Sequence, residues 1–170
     1  MKVYVFRKYS TVYRDFFRLE KRRLAALGGG LSVEHIGSTA VNGLGGKNIL
    51  DIAIGCRKGL SKTKKALEGL GYEFRTGAGT KNRLFFRKDY TYRGKGLHVH
   101  VHLTKYNGKE WRGMLAFRDY LIRHRDKMLE YAEIKKRAAK TAHENGEVYR
   151  KLKKKFIDGI EKSATSRDRL

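Results

Sequence analysis

One segment decides the fold: residues 33–55 read VEHIGSTAVNGLGGKNILDIAIG. Its hydrophobic pattern predicts a strand over 32–36, a glycine-rich loop that extends to Gly46, and a second strand over 48–54. A single carboxylate, Asp51, interrupts the second strand, which is otherwise apolar.

The turn that leaves the first strand is Gly37-Ser38-Thr39. It offers free backbone N–H groups and two hydroxyls, and glycine lets a ligand approach the backbone closely. Phosphate requires donors of this kind. We therefore expect Gly37, Ser38 and Thr39 to bind phosphate.

Asp51 lies on the less bulky face of its strand. Leu50, Ile52 and Ile54 alternate on the opposite face, whereas Ala53 and Gly55 share the face of Asp51 with Ile49. A carboxylate in an apolar strand is costly to bury unless it is paired, hydrogen-bonded or bound to a metal. We expect the small neighbours to leave room for a ligand; a structural carboxylate that fixes the loop is the alternative.

A second polar strand lies later in the chain. His98, His100 and His102 alternate with apolar residues over 97–103, so the three rings share one face. Rings on that face stand about 6.6 Å apart, so two neighbouring rings can grip one metal or phosphate. The alternatives are a solvent-facing strand and a zinc site, and no Cys or Glu stands at zinc-ligand spacing nearby.

The remaining pattern predicts an α+β (α/β mixed sheet) domain. It has an N-terminal helix to about Leu27, with Glu20 on its apolar stripe, a central mixed sheet of four to five strands, and a helical C-terminal part. The further elements are a helix over 62–70, strands over 72–75, 83–88 and 97–104, and three helices from Glu110, with a break at Asn145-Gly146. We expect one domain over 1–170, with its core at about 1–124 and a helical extension at about 125–163.

Charge is the other marked property. Forty Lys and Arg oppose seventeen Asp and Glu, which gives a net charge of +23. A positive field over the surface attracts polyanions such as RNA or nucleotides, and Lys151, Lys153, Lys154 and Lys155 form the densest run. The alternative is a solubility or intracellular-salt adaptation.

The compartment is inferred from what the chain lacks. Cys56 is the only cysteine, so an internal disulfide is excluded, as suits a reducing compartment. The start has no apolar signal-peptide run, and no stretch approaches the roughly 18 apolar residues of a membrane span. We expect a cytoplasmic protein that does not enter a membrane.

The motifs carry a resemblance. The strand, Gly-Ser turn, loop and Asp51 resemble the nucleotidyltransferase superfamily signature, and most of the chain resembles the GrpB family. The matching residues are His35 to Val41, Gly43-Leu44, Lys47, Asp51-Ile52, Gly71-Tyr72, Arg83, Phe85 to Lys88, His98 to Leu103, Glu110-Trp111, Leu115 to Leu121, Tyr149, Lys153 and Phe156-Ile157.

The resemblance implies a nucleotidyltransferase-like fold and a set of roles. Asp51 would be catalytic and hold a divalent metal, Mg²⁺ or Mn²⁺. His98 or His100 would face it as a metal ligand or general base, with His100 the second expected ligand. Lys47 and Arg83, which match the family pattern, would neutralise a triphosphate.

Two departures bear on this expectation. Asn42 and Asn48 stand where the GrpB family generally has proline. Catalytic nucleotidyltransferases hold metal with Asp-x-Asp, and the second position here is Ala53. Two-metal chemistry would therefore need ligands from elsewhere.

Three functions follow as hypotheses. The first is an enzyme that binds a nucleoside triphosphate and a metal and transfers a nucleotidyl group to an acceptor. The second is a non-catalytic module that binds a nucleotide or RNA. The third is a His-metal hydrolase that acts on a phosphorylated substrate.

Overall fold

The computed structural model describes residues 5–47, 49–142 and 145–167, and these contain five strands and five α-helices. In chain order they are α1 (Val12–Ala25), β1 (Ser32–Ile36), β2 (Ile49–Cys56), α2 (Leu60–Gly69), β3 (Glu73–Phe74), β4 (Arg83–Tyr92), β5 (Lys95–Lys105), α3 (Lys109–Arg123), α4 (Arg125–Ala142) and α5 (Gly146–Arg167). A short 3-10 turn, Ser38–Ala40, follows β1. The α+β class and the mixed five-stranded sheet are confirmed.

The sheet brings the two polar strands together at its centre. Its order is β1-β2-β5-β4-β3. β2 and β5 pair in parallel, and the three other pairings are antiparallel. The register sets Asp51 directly beside His100 and Ala53 beside His102. Residues in register point to the same side of a sheet, so Asp51 and all three histidines share one face, which we name the front face.

The back face carries the main core. Leu50, Ile52 and Ile54 of β2 and the apolar residues of β5 are fully buried there, against α1 and α2. Burial of such side chains stabilises a fold by about 1.5–3 kcal/mol each. Glu20 of α1 is also buried within this layer, 1% exposed, as its place on the apolar stripe indicated.

The front face is covered in part by the C-terminal helices. Trp111 of α3 packs over Gly55 and Ala53, and a Cβ on Gly55 would lie 2.8 Å from the Trp111 ring. The expectation that Ala53 and Gly55 leave room for a ligand is therefore wrong, because an indole fills that space. α4 and α5 pack on the glycine-rich loop through Val41 and Leu44.

Element boundaries differ from the pattern in a few places. The β4–β5 hairpin is longer than predicted, because its polar ends still pair across the strands. β3 has only two residues. The break at Asn145 is confirmed: its side chain accepts hydrogen bonds from the N–H groups of Glu147 and Val148 and caps α5. Asn48 lies outside the described residues.

Helix length and polarity also bear on membranes. Within the described part of the chain, none of the helices combines the length and apolar character needed to span a bilayer.

Candidate active site

Asp51 and His100 form the centre of the front face. The Nδ1 atom of His100 is 3.3 Å from Oδ1 of Asp51, and Nε2 of His102 is 3.7 Å from the same oxygen. Phe85 of β4 packs edge-on against both imidazole rings. The aromatic ring and the strand backbone therefore hold the rings close to the carboxylate.

The electrostatics of this group favour an ionised carboxylate. Burial on its own raises the pKa of Asp51, but hydrogen bonding from His100 and His102 outweighs it, so the pKa lies below its ordinary value. Burial lowers the pKa of His102, partly offset by Asp51. Nδ1 of His102 is buried and has no hydrogen-bond partner among the described residues.

Gly37 brings the Gly-Ser turn onto this carboxylate. Its φ of 72° and ψ of −166° belong to a region that only glycine adopts readily. A Cβ at this position would lie 2.5 Å from Oδ2 of Asp51. The glycine is therefore required both by the turn and by the approach of Asp51.

Thr39 is engaged in the fold. Its hydroxyl donates to the carbonyl of Ile49 at 3.1 Å and lies 2.9 Å from Nε2 of His35. Because the hydroxyl proton goes to Ile49, the His35 ring must donate to Thr39. Burial lowers the pKa of His35 to about 4, consistent with a neutral ring. Thr39 thus ties the turn to β2, and its expected phosphate contact stays a prediction.

Lys47, Lys135 and Lys153 come from different segments, and the charges of the first and third act on the second; we name these residues the lysine cluster. Nζ of Lys135 is 2.5 Å from Oγ of Ser38 and also donates to the carbonyl of Gly45. Lys47 and Lys153 each lie over the buried ring of Tyr149, at 4.1 and 4.3 Å from its centroid.

Burial changes the acidity of two members of the cluster. It lowers the pKa of Lys135 to about 7, and the positive charge of Lys153 adds to the effect. It lowers the pKa of Lys153 to about 8, with Arg150 adding to it. Asp51 acts in the opposite direction on both lysines, which shows that its field reaches them.

The structure separates two other expected residues from Asp51. His98 lies two residues before His100 on β5, and its Nδ1 is 2.8 Å from Oδ1 of Asp89. Arg83 is at the far end of β4, and Glu110 pairs with its guanidinium at 3.3 Å. Of the two alternatives for the residue facing Asp51, the structure brings His100 into contact.

A cleft of about 850 Å³ opens beside His100. Its walls are the β4–β5 hairpin, the N-terminal segment with the start of α1, Lys47 of the glycine-rich loop, and Arg150 of α5. Among its described lining residues are His98 and His100, one carboxylate and five cationic side chains. The carboxylate is Asp89, and the cations are Arg7, Lys47, Arg87, Lys95 and Arg150. This excess of positive charge fits an anionic ligand.

A metal held by the protein alone fits this site poorly. Mg²⁺ prefers several oxygen ligands in octahedral geometry. Asp51 supplies one carboxylate, its Oδ1 faces two imidazoles, and Ala53 is buried where a second would stand. Among the described residues, His, Cys, Asp and Glu form no group of three suited to a metal ion.

Arg118 of α3 makes several charged contacts. It pairs with Asp119 at 2.7 Å and with Glu34 at 2.8 Å, and donates to the carbonyl of His35 at 2.9 Å. These bonds tie α3 to β1. The Arg118-Asp119 pair is therefore a structural ion pair.

Comparison with known proteins gives consistent matches. Residues 4–163 match the family described as GrpB protein. A UPF0157 protein of Pseudomonas aeruginosa is 36% identical over 133 residues, and the glutamate-rich protein GrpB of Alkalihalophilus pseudofirmus is 30% identical over 132 residues. The matched region is 77% of this chain for the first relative, and 75% of each chain for the second.

The fold agrees with a solved structure. The crystal structure of conserved protein GrpB from Enterococcus faecalis matches with a TM-score of 0.82 and 28% identity, covering 98% of this chain and 100% of that one. The chain spans about half the length of the first curated relatives it matches, 54% and 46%. These names state no reaction, so the nucleotidyltransferase-like part of the resemblance stays a prediction. The family match over most of the chain and the shared fold nevertheless agree: the chain belongs to the GrpB family.

Proposed function

We propose that this protein binds a nucleoside triphosphate in the cleft beside His100 and transfers its nucleotidyl group to an acceptor. The observation that carries the proposal is the cleft itself. Its described lining residues include five cationic side chains, one carboxylate and His100, which in turn contacts Asp51. Five cationic side chains can balance the negative charge of a triphosphate. The guanidinium of one arginine can also bind two phosphate oxygens at once.

His100 is suited to act as the general base. An Nδ1–H that donates to Asp51 leaves Nε2 of the same ring with its lone pair. In the proposed step, Nε2 takes the proton of the acceptor hydroxyl while that oxygen attacks the α-phosphorus. The bond from the α-phosphorus to the bridging oxygen breaks, and pyrophosphate leaves with the electron pair. Asp51 stays ionised and stabilises the imidazolium.

Gly37 and Ser38 would hold a phosphate at the rim of the site. Because the described residues do not fit a protein-held two-metal centre, no step here depends on one. That Mg²⁺ or Mn²⁺ accompanies the nucleotide as its counter-ion stays a prediction. Asp51 would supply an oxygen ligand to that ion.

The test is a direct assay of binding and turnover. Purified protein is titrated calorimetrically with each of the four ribonucleoside triphosphates, with and without Mn²⁺. It is then incubated with α-labelled nucleotide, and released pyrophosphate is measured. Saturable binding with pyrophosphate release supports the proposal, whereas release of free orthophosphate alone identifies a hydrolase instead.

A non-catalytic nucleotide- or RNA-binding module is the second candidate. Two observations favour it: Ala53 replaces the second carboxylate, and the net charge is +23. Lys151, Lys154 and Lys155 are exposed on α5 and available to a nucleic-acid backbone, although Lys154 also pairs with Asp158. Nucleotide binding without turnover, together with RNA affinity that falls steeply with salt, supports this candidate.

A further inference from the structure

A groove runs along the surface of α4 and α5, apart from the cleft beside His100. Its volume is about 710 Å³, and none of its described lining residues also lines the cleft. The Tyr131 ring stacks on Phe156 with ring centroids 5.1 Å apart, and Ala138 packs with Tyr149. These contacts show that α4 and α5 lie side by side and antiparallel, with the groove between them.

The groove is long enough for a helix. On α4 its lining residues run from Lys127 to Thr141, and on α5 from Leu152 to Ile160. At a rise of 1.5 Å per residue, the α4 wall is about 21 Å long, or about four helical turns. Two helices packed side by side offer a groove of this kind to the ridge of a third helix.

The groove has an apolar lining. Leu152, Phe156 and Ile160 stand on one stripe of α5, and Ile134 and Ala138 face them from α4. Leu152 is 45% exposed, whereas Ile160 at the other end of the stripe is buried. An apolar stripe that continues into solvent indicates a surface that a partner covers.

The charged residues of the groove are mainly cationic. Lys127, Arg137 and Lys155 line it, against the single carboxylate of Glu130. Lys127 pairs with Glu130 at 2.9 Å. Arg137 and Lys155 are exposed, and within the described part of the chain no carboxylate pairs with either of them. The groove therefore complements an occupant that is both apolar and acidic.

We propose that this groove docks an amphipathic helix of an acidic partner protein. Aliphatic side chains of that helix lie against Leu152 and Phe156, and its flanking carboxylates pair with Arg137 and Lys155. The apolar lining does not suit a nucleic-acid backbone, which offers phosphates but no apolar stripe. A second copy of the chain does not fit either, because its charge of +23 is repelled from a cationic groove.

The probe is a fluorescein-labelled synthetic peptide. It has about 16 residues, with leucine at helical spacing on one face and glutamate on both flanks. A peptide of the same composition in scrambled order carries the same charge but no apolar stripe. Fluorescence anisotropy with the full chain should show at least about tenfold tighter binding of the amphipathic peptide. Equal binding of the two peptides, or no binding, would overturn the proposal.

Two double variants locate the docking site. Arg137→Glu with Lys155→Glu reverses the charge of the groove. Lys136→Glu with Lys154→Glu changes the net charge equally, on neighbouring lysines that lie outside the groove and each pair with a carboxylate at 2.6 Å. We expect at least about tenfold weaker peptide binding in the first variant and less than about threefold in the second. Equal losses in the two variants contradict a site in the groove.

Filling the groove is a further test that does not depend on charge. Gly159 lines the groove, and a Cβ there would meet no described atom within 4 Å, so Gly159→Leu is expected to fold. Gly69→Leu is the control, because Gly69 of α2 also has open space beside it and lies outside the groove. Circular dichroism checks that both variants are folded. We expect Gly159→Leu to abolish the preference for the amphipathic peptide and Gly69→Leu to retain it.

The same variants distinguish a helix from a nucleic acid. Single-stranded oligouridylate is titrated against the wild type, Gly159→Leu and Gly69→Leu. We expect Gly159→Leu to leave its affinity unchanged, because phosphate contacts do not use the apolar lining. If Gly159→Leu weakens oligouridylate binding as much as peptide binding, the groove is a nucleic-acid surface and the proposal is wrong. A folded Gly159→Leu that still prefers the amphipathic peptide also refutes it.

Discussion

Two carboxylates lie on opposite sides of one sheet, the buried Glu20 and the half-buried Asp51, and their surroundings differ in kind. Glu20 on the back face accepts hydrogen bonds from the hydroxyls of Tyr72 and Tyr90, at 2.6 and 2.7 Å, and pairs with Arg23 at 3.2 Å. Asp51 on the front face contacts two imidazoles beside an open cleft.

The difference separates a carboxylate that holds the fold from one that is available for chemistry. The partners of Glu20 keep their protons: burial, and then the charge of Glu20, raises the pKa of Tyr72 well above its usual range. The partners of Asp51 are two imidazoles, and burial lowers the pKa of one of them, His102. A closed network of this kind stabilises one structure, whereas titratable partners beside a cleft can exchange protons with a ligand.

The largest effect is expected from Asp51→Asn. If His100 is the base that Asp51 orients, the change lowers the rate of nucleotidyl transfer about a thousandfold, because the wrong tautomer becomes favoured. Single-turnover kinetics measures this, with circular dichroism to show that the variant is folded. Unaltered transfer in a folded variant would assign Asp51 to the same structural class as Glu20.

Gly37→Ala tests the contact between the turn and Asp51. The backbone conformation is strained for alanine, and the methyl group would meet Oδ2 of Asp51 at 2.5 Å. We expect the free energy of unfolding to fall by about 3 kcal/mol and phosphate binding to be lost. Urea denaturation checks the first result. Gly77→Ala is the control, because Gly77 also has a positive φ but has open space where the methyl would be placed.

Glu20→Gln tests the other side of the comparison. The change replaces a charged acceptor by a neutral one and adds an N–H₂ group to a site built from donors. We expect the free energy of unfolding to fall by about 2 kcal/mol, with nucleotide affinity unchanged. Tyr90→Phe, which removes one donor, should cost about 1 kcal/mol. A loss of affinity in Glu20→Gln without a loss of stability would break the comparison.

The smallest effect concerns pH. Burial holds the pKa of Lys135 at about 7 in the folded protein against an ordinary value of 10.5. Between these values the unfolded chain binds more protons than the folded one, so the free energy of unfolding rises with pH across this window. Lys135→Met should remove about 1 kcal/mol of the rise between pH 7 and 8, and Lys136→Met should remove none. Denaturant titrations at both pH values measure it.

Hydrophobic periodicity predicted most of the fold. Alternation in β2 and β5 and the Gly-Ser turn predicted the centre of the sheet, and Asn145 predicted the start of α5. Periodicity could not predict that Trp111 would cover Ala53 and Gly55, because that contact joins segments about 60 residues apart in sequence. Long-range packing of this kind leaves no local pattern.

The site was predicted in part. Strand alternation singled out Asp51 and the three histidines, and the resemblance predicted that His98 or His100 would face Asp51. The register sets His100 beside it. Lys135 was missed and Lys153 was assigned to the charged run, although each stands on an apolar helical stripe, as Glu20 does. Lys135 follows Met128, Tyr131 and Ala132, and Lys153 lies between Tyr149 and Ile157. In a chain with forty cationic residues, a single lysine on an apolar stripe is easily mistaken for part of a charged surface.

The bond between Arg118 and the carbonyl of His35 has a consequence for how separate copies of the chain meet. β1 is one border of the sheet and β3 the other. β3 has only two residues, and on β1 the guanidinium of Arg118 donates to the carbonyl of His35. Unpaired sheet borders recruit other chains into aggregates, and a charged side chain on the border opposes this. Arg118, which ties α3 to the sheet, therefore also opposes the pairing of β1 with a second copy of the chain.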